Sequence, residues 1–255
     1  MKHLLETYDR EVRANPSYPS ILKVTRTDHL VCLKGPGELS FVSYWDIPET
    51  GAAEIVREEI ASLTLQNRKL MWRVYEHDRP ENLETCLHSE GMEKIDSVTL
   101  MVIPLKRFQG LTIAAPTLDV VKLGGGNVAK GVEDFLTVTE IAFGQPSPHD
   151  KAYHEAILAF DNFNYYVAYR NQTPVAAARF EYPDNSRFGF LFGACVIPEY
   201  RHQGVYRFLV NLRLQQAKSL GLEYIVIDAK ESSRPILERM GFITLAKGST
   251  WTLTV

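Results

Sequence analysis

Hydrophobic and polar positions follow two different periods along the chain, and each change of period marks an element. Short alternating or continuous apolar runs predict strands, whereas apolar positions three and four apart predict helices. In the first hundred residues the pattern predicts a helix over about 1–14, three strands, a helix over about 50–66 and a further strand. A helix opened by Pro80 and ended by Gly91 follows, and then a last strand. We therefore expect an α+β domain in this half.

Periodicity is lost over residues 104–117, which contain two prolines. We place a linker at 109–117, between an N-terminal domain at 1–108 and a C-terminal domain at 118–255. After the linker the pattern predicts a strand, two helices, three antiparallel strands, a long helix over about 204–220, a strand, a short helix and a final hairpin. The fold class is α/β (α+β), with a mixed, mostly antiparallel sheet flanked by helices.

One spacing occurs in both halves. Asp78 precedes Gly91 by thirteen residues, and Asp228 precedes Gly241 by the same thirteen, each acid following a hydrophobic strand. The halves are either divergent copies of one fold or two unrelated strand–helix–strand units.

Charge and composition narrow the function. There are 28 Lys and Arg against 31 Asp and Glu, so no basic excess exists for nucleic acid or an anionic membrane. No apolar run reaches the roughly 20 residues that cross a bilayer, and no signal peptide is evident at the start, so we expect a cytoplasmic protein. The three cysteines, Cys32, Cys86 and Cys195, lie in apolar runs without metal-type spacing. His149 and His154 are five residues apart, so no metal site is expected.

Residues 196–207 join a strand directly to the long helix, and this segment has the features of an anion site. Amide groups at a helix start lack intrahelical partners and carry the positive end of the helix dipole. Gly204 removes the Cβ that would block a phosphate. Arg201 and Arg207 add cationic donors on either side, and His202 fills space in the loop.

At these residues the chain resembles the GNAT superfamily of N-acyltransferases. The family's pyrophosphate-binding signature, Gln/Arg-x-x-Gly-x-Gly/Ala, reads Arg201-x-x-Gly204-x-Tyr206 here. Tyr206 departs from the family's Gly or Ala. The resemblance covers about 118–255, because the order of elements and the later segment 239–242 also fit.

The resemblance implies that acetyl-CoA or another acyl-CoA is the co-substrate, with no metal. Its pantetheine would lie along the strand at Cys195 and Val196, and its pyrophosphate on the amides of residues 202–207. The cofactor-binding residues implied are Cys195, Val196, Arg201, His202, Gln203, Gly204, Val205, Tyr206 and Arg207. The acceptor would be a primary amine of an unidentified small molecule, peptide or protein.

Several residues are candidates for the catalytic groups. The family often places a tyrosine acid where this chain has Leu237. Ser232 and Ser233 are the nearest substitutes, and helix capping is the alternative role for both. Asp228 is the first candidate for amine binding or base catalysis, with turn capping as its alternative. Glu181 is a weaker candidate, because carboxylates at strand ends usually face water.

Two other functions are suggested by parts of the sequence. The run Gly124–Ala129 satisfies the dinucleotide-binding string G-x-G-x-x-G/A, but the segment that should become a second strand reads as a helix. Alternatively, the fold binds acyl-CoA without catalysis, as a sensor or partner domain, which Tyr206 and Leu237 favour.

The N-terminal half has no glycine loop comparable to residues 201–207, since 46–51 has one glycine, two acids and no cation. We expect no cofactor there.

Overall fold

The computed structural model describes residues 2–65, 69–110, 117–147 and 149–253. Its strands are β1 (Lys23–Arg26), β2 (Leu30–Lys34), β3 (Leu39–Trp45), β4 (Lys69–Tyr75), β5 (Glu93–Pro104), β6 (Asp119–Lys122), β7 (Phe163–Arg170), β8 (Thr173–Glu181), β9 (Phe188–Val196), β10 (Tyr224–Ala229) and β11 (Ile243–Leu253). Its α-helices are α1 (Lys2–Tyr8), α2 (Ala52–Thr64), α3 (Leu83–Ser89), α4 (Val128–Phe143), α5 (Lys151–Ile157), α6 (Val205–Ser219) and α7 (Arg234–Arg239). A π-helical turn, Asp9–Arg13, continues α1.

The chain divides into two compact units. Unit 1 comprises the described residues of Met1–Met101, Asp228–Pro235 and Ile243–Val255, and unit 2 comprises those of Val102–Ile227 and Ile236–Phe242. Both units are mixed α/β with mostly antiparallel strands, which confirms the predicted fold class. The linker predicted at 109–117 falls largely on 111–116, outside the described residues, and the domain limits 1–108 and 118–255 stay a prediction.

Unit 1 is built on the strand order β1-β2-β3-β4-β11-β5. Its neighbours pair antiparallel from β1 to β3, whereas β3 and β4 run parallel from Leu39↔Lys69 to Val42↔Trp72. Trp72 is fully buried at the centre of the core, edge-on to Trp45 at 5.4 Å. Alternation along β4 sends Leu70, Trp72 and Val74 into this core, as the sequence pattern indicates.

The predicted final hairpin is wrong, because β11 is one continuous strand. It pairs antiparallel with β4 from Gly248↔Tyr75 to Leu253↔Leu70. Gly248 lies where β11 and β4 approach closely: a Cβ there would lie 2.6 Å from Tyr75 Cδ1 and 2.7 Å from the Val74 carbonyl oxygen. A glycine inside a strand often marks such a contact.

The helix predicted to open at Pro80 begins at Leu83 instead. Pro80 lies in a turn in which the Leu83 N–H donates to the Pro80 carbonyl at 3.1 Å, and this turn leads into α3. The end of the helix is as predicted, with Gly91 at φ +82°.

The two helices of the repeated spacing end in the same way. The Met92 N–H donates to the Leu87 carbonyl after α3, and the Phe242 N–H donates to the Leu237 carbonyl after α7, both at 3.0 Å. Gly241 shares the left-handed conformation of Gly91 (φ +95° and +82°). These bonds are those of a Schellman-type helix end. The thirteen-residue spacing therefore has the same backbone counterpart in both halves.

Unit 2 follows the order β10-β9-β8-β7-β6. The strands from β6 to β9 pair antiparallel, and β9 and β10 pair parallel. The β7–β8 turn is formed by Asn171 and Gln172, both with positive φ, as the sequence predicts. Helix α6 (205–219) matches the predicted 204–220 closely, and its apolar stripe places Val205 and Leu209 against β8 and β9.

Candidate active site

The β9–α6 loop, residues 197–204, ends at a glycine. Its left-handed backbone conformation would strain any other residue. Pro198 starts a single 3₁₀ turn, and His202 and Gly204 then have φ +62° and +81°. Gly204 is the N-cap of α6 and no side chain caps it. A Cβ on Gly204 would have no atom within 4 Å, so the space above it is open. The first turn of α6 therefore offers backbone donors and the positive end of the helix dipole to an anion.

The predicted cations of the loop divide into two kinds. Arg201 is used by the protein itself: its Nε donates to the Val196 carbonyl at 3.0 Å and its Nη2 to the Ala142 carbonyl at 3.1 Å. Gln203 donates to the Glu199 carbonyl at 3.1 Å. Arg207 is exposed on α6. The structure thus gives Arg201 a bracing role across the loop and leaves Arg207 at the surface.

Tyr206 is half-buried in the first turn of α6. It packs on the apolar cluster of unit 2 whose buried members include Val196, Val205 and Leu209. The Tyr206 side chain, which is larger than the Gly or Ala of the family signature, therefore lies partly in the core. The opening above Gly204 remains.

Strand β9 separates from its parallel neighbour after three registered pairs. These run from Phe188↔Tyr224 to Phe190↔Val226, while β9 continues to Val196. On its other side β9 carries an extra residue against β8, where the register shifts between Cys195↔Ala177 and Phe192↔Arg179. Gly193, at φ +55°, lies in this bulge. The far half of β9 therefore offers an edge to an extended ligand.

Cys195 and Val196 lie at the end of this edge, and both are buried. Burial raises the pKa of the Cys195 thiol to about 12, so the sulfur stays protonated at neutral pH. A buried, protonated thiol is a poor nucleophile. A run of small residues faces it on β8, with Ala177 in register.

Asp228, the first candidate base, is part of a partly buried polar network in unit 1. It forms an ion pair with Arg73 and accepts a hydrogen bond from Tyr75 Oη at 2.9 Å. Burial and the Asp228 charge both raise the pKa of Tyr75, which stays a donor. Both carboxylate oxygens of Asp228 are therefore already engaged, Oδ2 by Arg73 and Oδ1 by Tyr75. The geometry favours a structural role, and the catalytic role of Asp228 stays a prediction.

Ser233 precedes α7 and bonds locally. Its hydroxyl donates to the Lys230 carbonyl at 3.1 Å, and its N–H donates to the same oxygen at 2.9 Å. The neighbouring Ser232 is exposed, and Leu237, where the family often has tyrosine, is fully buried. These bonds hold the turn that precedes α7, and the helix-capping and catalytic roles of Ser233 both stay predictions.

The expectation that Glu181 faces water is wrong. Glu181 is 8% exposed and forms an ion pair with Arg179 at 3.2 Å. Burial raises the pKa of Glu181, and Arg179 opposes that shift. Carboxylates of this kind are common in active sites.

Arg179 organises a group of side chains that we call the Arg179 cluster: His154, Tyr165, Arg179 and Glu181. Arg179 Nη1 donates to Tyr165 Oη at 3.3 Å, and His154 Nδ1 lies 2.8 Å from the same hydroxyl. The guanidinium carbon is 5.5 Å from the ring centres of both Tyr165 and Phe192. The sequence analysis missed Arg179, although a lone cation among the alanines of β8 is an available signal.

His149 and Tyr153 lie next to this cluster. Their rings stack at 3.8 Å, and the Tyr153 N–H is capped by Asp150 at 2.7 Å. Burial, then the Arg179 charge, lowers the pKa of His149 to about 4 and that of His154 to about 3. Both imidazoles are therefore neutral at physiological pH.

These two histidines predict a pH dependence of stability. The unfolded chain binds protons near pH 6.5, whereas the folded chain excludes them from His154 down to about pH 3. We expect the free energy of unfolding to fall as the pH drops below about 6.5, since protons then favour the unfolded chain. Urea unfolding at about pH 5 and pH 7 measures this slope.

His154→Gln should reduce the slope, whereas His88→Gln, at an exposed position on α3, should leave it as in the wild type. An unchanged slope in His154→Gln would contradict the neutral, buried imidazole.

Unit 1 also has a pair of parallel strands, β3 and β4, and a side chain lies where their pairing ends. Beyond the last registered pair of β3 and β4, Arg13 Nε donates to the Ser43 carbonyl at 3.1 Å. Its guanidinium carbon lies 5.0 Å from the ring centres of Trp45 and Tyr75. Both terminal nitrogens bind Asp78, at 2.7 and 2.9 Å. Arg13 thus occupies the place between the diverging strands.

Other features bear on cofactors and compartments. Within the described ranges, no group of three or more His, Cys, Asp or Glu side chains could hold a metal ion. Cys32, Cys86 and Cys195 are free and buried. None of the helices in the described part of the chain has the length and apolarity needed to cross a membrane. The glycine run 124–126 forms an exposed turn before α4, and the next element is helix α5, where a dinucleotide fold requires a second strand.

Comparison with known proteins places these features in a family. Residues 132–242 match the model of the acetyltransferase (GNAT) family. A GCN5-related N-acetyltransferase from Kribbella flavida is 14% identical with a TM-score of 0.66, over 98% of this chain and 94% of that chain. Its counterpart from Sphaerobacter thermophilus is 11% identical with a TM-score of 0.64, over 99% and 84%.

A tandem GNAT protein from the clavulanic acid biosynthesis pathway is 13% identical with a TM-score of 0.57, over 93% of this chain and 84% of that chain. No curated protein matches the sequence. Identities this low establish the fold alone. The range of the family match, residues 132–242, includes the β9–α6 loop and the Arg179 cluster. Residues 132–242 are therefore a GNAT domain, in a chain that has the fold of GCN5-related N-acetyltransferases.

Proposed function

We propose that the protein is an N-acyltransferase that transfers an acetyl or other acyl group from acyl-CoA to a primary amine. The family match supports acyl transfer as the class of activity. The observation that carries the proposal is the path formed by the free half of β9 and the open helix start at Gly204. An extended pantetheine arm can add to the strand, and a pyrophosphate suits the helix start.

This chain's residues divide the binding between them. The main chain at Cys195 and Val196 would face the pantetheine, and the amides of residues 202–207 would face the phosphates. Arg207 supplies an exposed cation beside them, while Arg201 holds the loop in place through two carbonyls. A Cβ on Gly204 would meet no atom within 4 Å, which supports a phosphate at this position.

The proposed reaction is direct attack without a covalent enzyme intermediate. The amine nitrogen forms a bond to the thioester carbonyl carbon, the carbon–sulfur bond breaks, and the proton lost by the nitrogen ends on the released thiol or on solvent. Cys195 is protonated and buried, which argues against a cysteine-linked route. Orientation of amine and thioester provides much of the rate in such a reaction.

The N-terminal half is proposed to bind no acyl-CoA. Arg13 fills the gap between β3 and β4 and is held there by Ser43 and Asp78. The helix that follows β3 starts at Gly51 without nearby cations in 46–51. This half is then a degenerate copy that keeps the architecture without the site.

Calorimetric titration with acetyl-CoA, followed by thiol release against a panel of primary amines, tests the proposal. One site per chain with amine-dependent thiol release is the expected result. Binding without release from any amine would favour the non-catalytic acyl-CoA sensor, and no binding would contradict both. Two sites per chain would overturn the proposal for the N-terminal half.

A further inference from the structure

We infer that the acceptor is an amine that also carries a carboxylate, as an amino acid does, and that Arg179 and Glu181 bind its two charged groups. The inference rests on the proposed function, since it names the substrate class of the same site. Four observations support it: an unused buried donor, a matched pair of charges, their place beside β9, and the rings around them.

The unused donor is Arg179 Nε. The other nitrogens of this guanidinium bind Tyr165 Oη and Glu181, but Nε is buried without a hydrogen-bond partner. A buried charged donor left unpaired costs free energy, so such groups usually have a partner or await one. The Nε and Nη2 atoms form the edge of guanidinium that binds carboxylates through two parallel hydrogen bonds.

The matched charges explain why a zwitterion fits better than a simple ion. Arg179 and Glu181 are joined through one contact, Nη2 to Oε1 at 3.2 Å, with side chains 18% and 10% exposed. A ligand that carries only an anion or only a cation would leave one of the two protein charges without compensation in a partly dehydrated place. A ligand with an ammonium beside a carboxylate compensates both.

The place of the pair brings the acceptor to the acyl donor. Arg179 is in register with Phe192, next to the β9 bulge. Its Nε lies 4.0 Å from the position that a Cβ on Gly193 would take, and Gly193 is exposed. A carboxylate on Nε would thus lie beside the strand that the proposed function assigns to acyl-CoA, with its amine close to the thioester.

The surroundings of the pair are aromatic. Phe190 and Phe192 stack at 5.9 Å, and Tyr153 and His149 stack at 3.8 Å. The low pKa of His149, about 4, keeps that ring uncharged. An apolar or aromatic side chain on the acceptor suits such walls better than a polyamine does.

Matched pairs of amines test the inference on the wild-type enzyme. Each pair differs by the carboxylate alone: phenylalanine with phenethylamine, tyrosine with tyramine, and leucine with 3-methylbutylamine. Phenylalaninamide keeps the size and removes the charge. With saturating acetyl-CoA and thiol release as the readout, we expect the acid-bearing member to be preferred in kcat/KM by about tenfold to a hundredfold, the usual range for a charged hydrogen-bonded pair.

Arg179→Met should remove most of this preference. We expect KM for the amino acid to rise by about tenfold or more, and the ratio of kcat/KM between the acid-bearing and the carboxylate-free amine to fall towards one. Arg187→Met is the matched control. Arg187 also has a glutamate partner, Glu223 at 3.6 Å, and a tyrosine ring, Tyr224 at 5.9 Å, but it is 42% exposed at the opposite end of β9. Its variant should keep the wild-type preference.

The outcomes separate the two proposals. Thiol release from both members of each pair at equal kcat/KM, or a preference for the decarboxylated amine, would overturn the inference and leave the acyltransferase standing. Loss of both activities together in Arg179→Met, with KM unchanged, would assign that residue a structural role and overturn it too. Absence of release from every amine, with acetyl-CoA bound, would overturn the proposed function and the inference with it.

Discussion

Gly204→Asp is expected to lower the affinity for acetyl-CoA by more than about tenfold. The substitution puts a negative charge at the start of α6, where the proposed site receives phosphates. The new side chain has room, since no atom lies within 4 Å of its Cβ position. The loss should therefore come from charge repulsion and from strain at φ +81°, while the fold survives. Calorimetric titration gives the affinity, and thermal unfolding checks the fold.

Gly221→Asp is the matched control for this experiment. Gly221 follows the other end of the same helix, has a similar left-handed conformation (φ +77°) and has no atom within 4 Å of its Cβ position. Both variants add one charge and comparable strain, but only one adds them at the proposed phosphate site. We expect Gly221→Asp to bind acetyl-CoA as the wild type does. Equal affinities for the two variants would remove the site from residues 201–207.

Arg13→Met is expected to destabilise the protein by about 3–5 kcal/mol, the usual effect of leaving one partner of a buried ion pair alone. Arg13 is 5% exposed, and its two contacts to Asp78 join side chains that are 6% and 9% exposed. Methionine keeps much of the packing between Trp45 and Tyr75, so the measured loss reports the charge. Urea unfolding provides the free energy of unfolding.

Two further variants complete this test. Arg13→Met combined with Asp78→Asn should recover part of the stability, since asparagine is neutral and keeps the hydrogen bond from the Tyr75 N–H, 2.7 Å in the wild type. Arg10→Met, at a side chain 62% exposed on the same π-helical turn, should cost less than about 0.5 kcal/mol. A loss below about 1 kcal/mol in Arg13→Met would contradict the buried pair.

The elements that the sequence predicts well are those whose signals are local. The stripe of α6 and its two bounding glycines predict the helix to within one residue at each end. The strand-to-helix loop is predictable because Pro198, Arg201 and Gly204 lie within seven consecutive residues. The Asn171–Gln172 turn follows from the same kind of evidence.

Features that depend on distant partners were missed. The role of Gly248 has no local signal, because Tyr75, the residue beside it, lies more than 170 positions earlier in the chain. Arg179 reads as an ordinary strand cation until Tyr165 and Glu181 surround it. Asp228 is a plausible base in sequence, and only the fold brings Arg73 to it. Pairing across the chain leaves no periodic mark, so local patterns cannot predict it.

The pairing of β11 with β4 has a consequence for biosynthesis. Strand β4 ends at Tyr75, yet its neighbour on one side, Ile243–Leu253, is the last described segment of the chain. The ribosome therefore exposes β4 long before its partner is translated, and unit 1 cannot complete its sheet until β11 has been made. From the synthesis of β4 to that of β11 the nascent chain carries an open apolar edge, which is the state that chaperones bind. The whole of unit 2 up to β10 is translated before the sheet of unit 1 is complete.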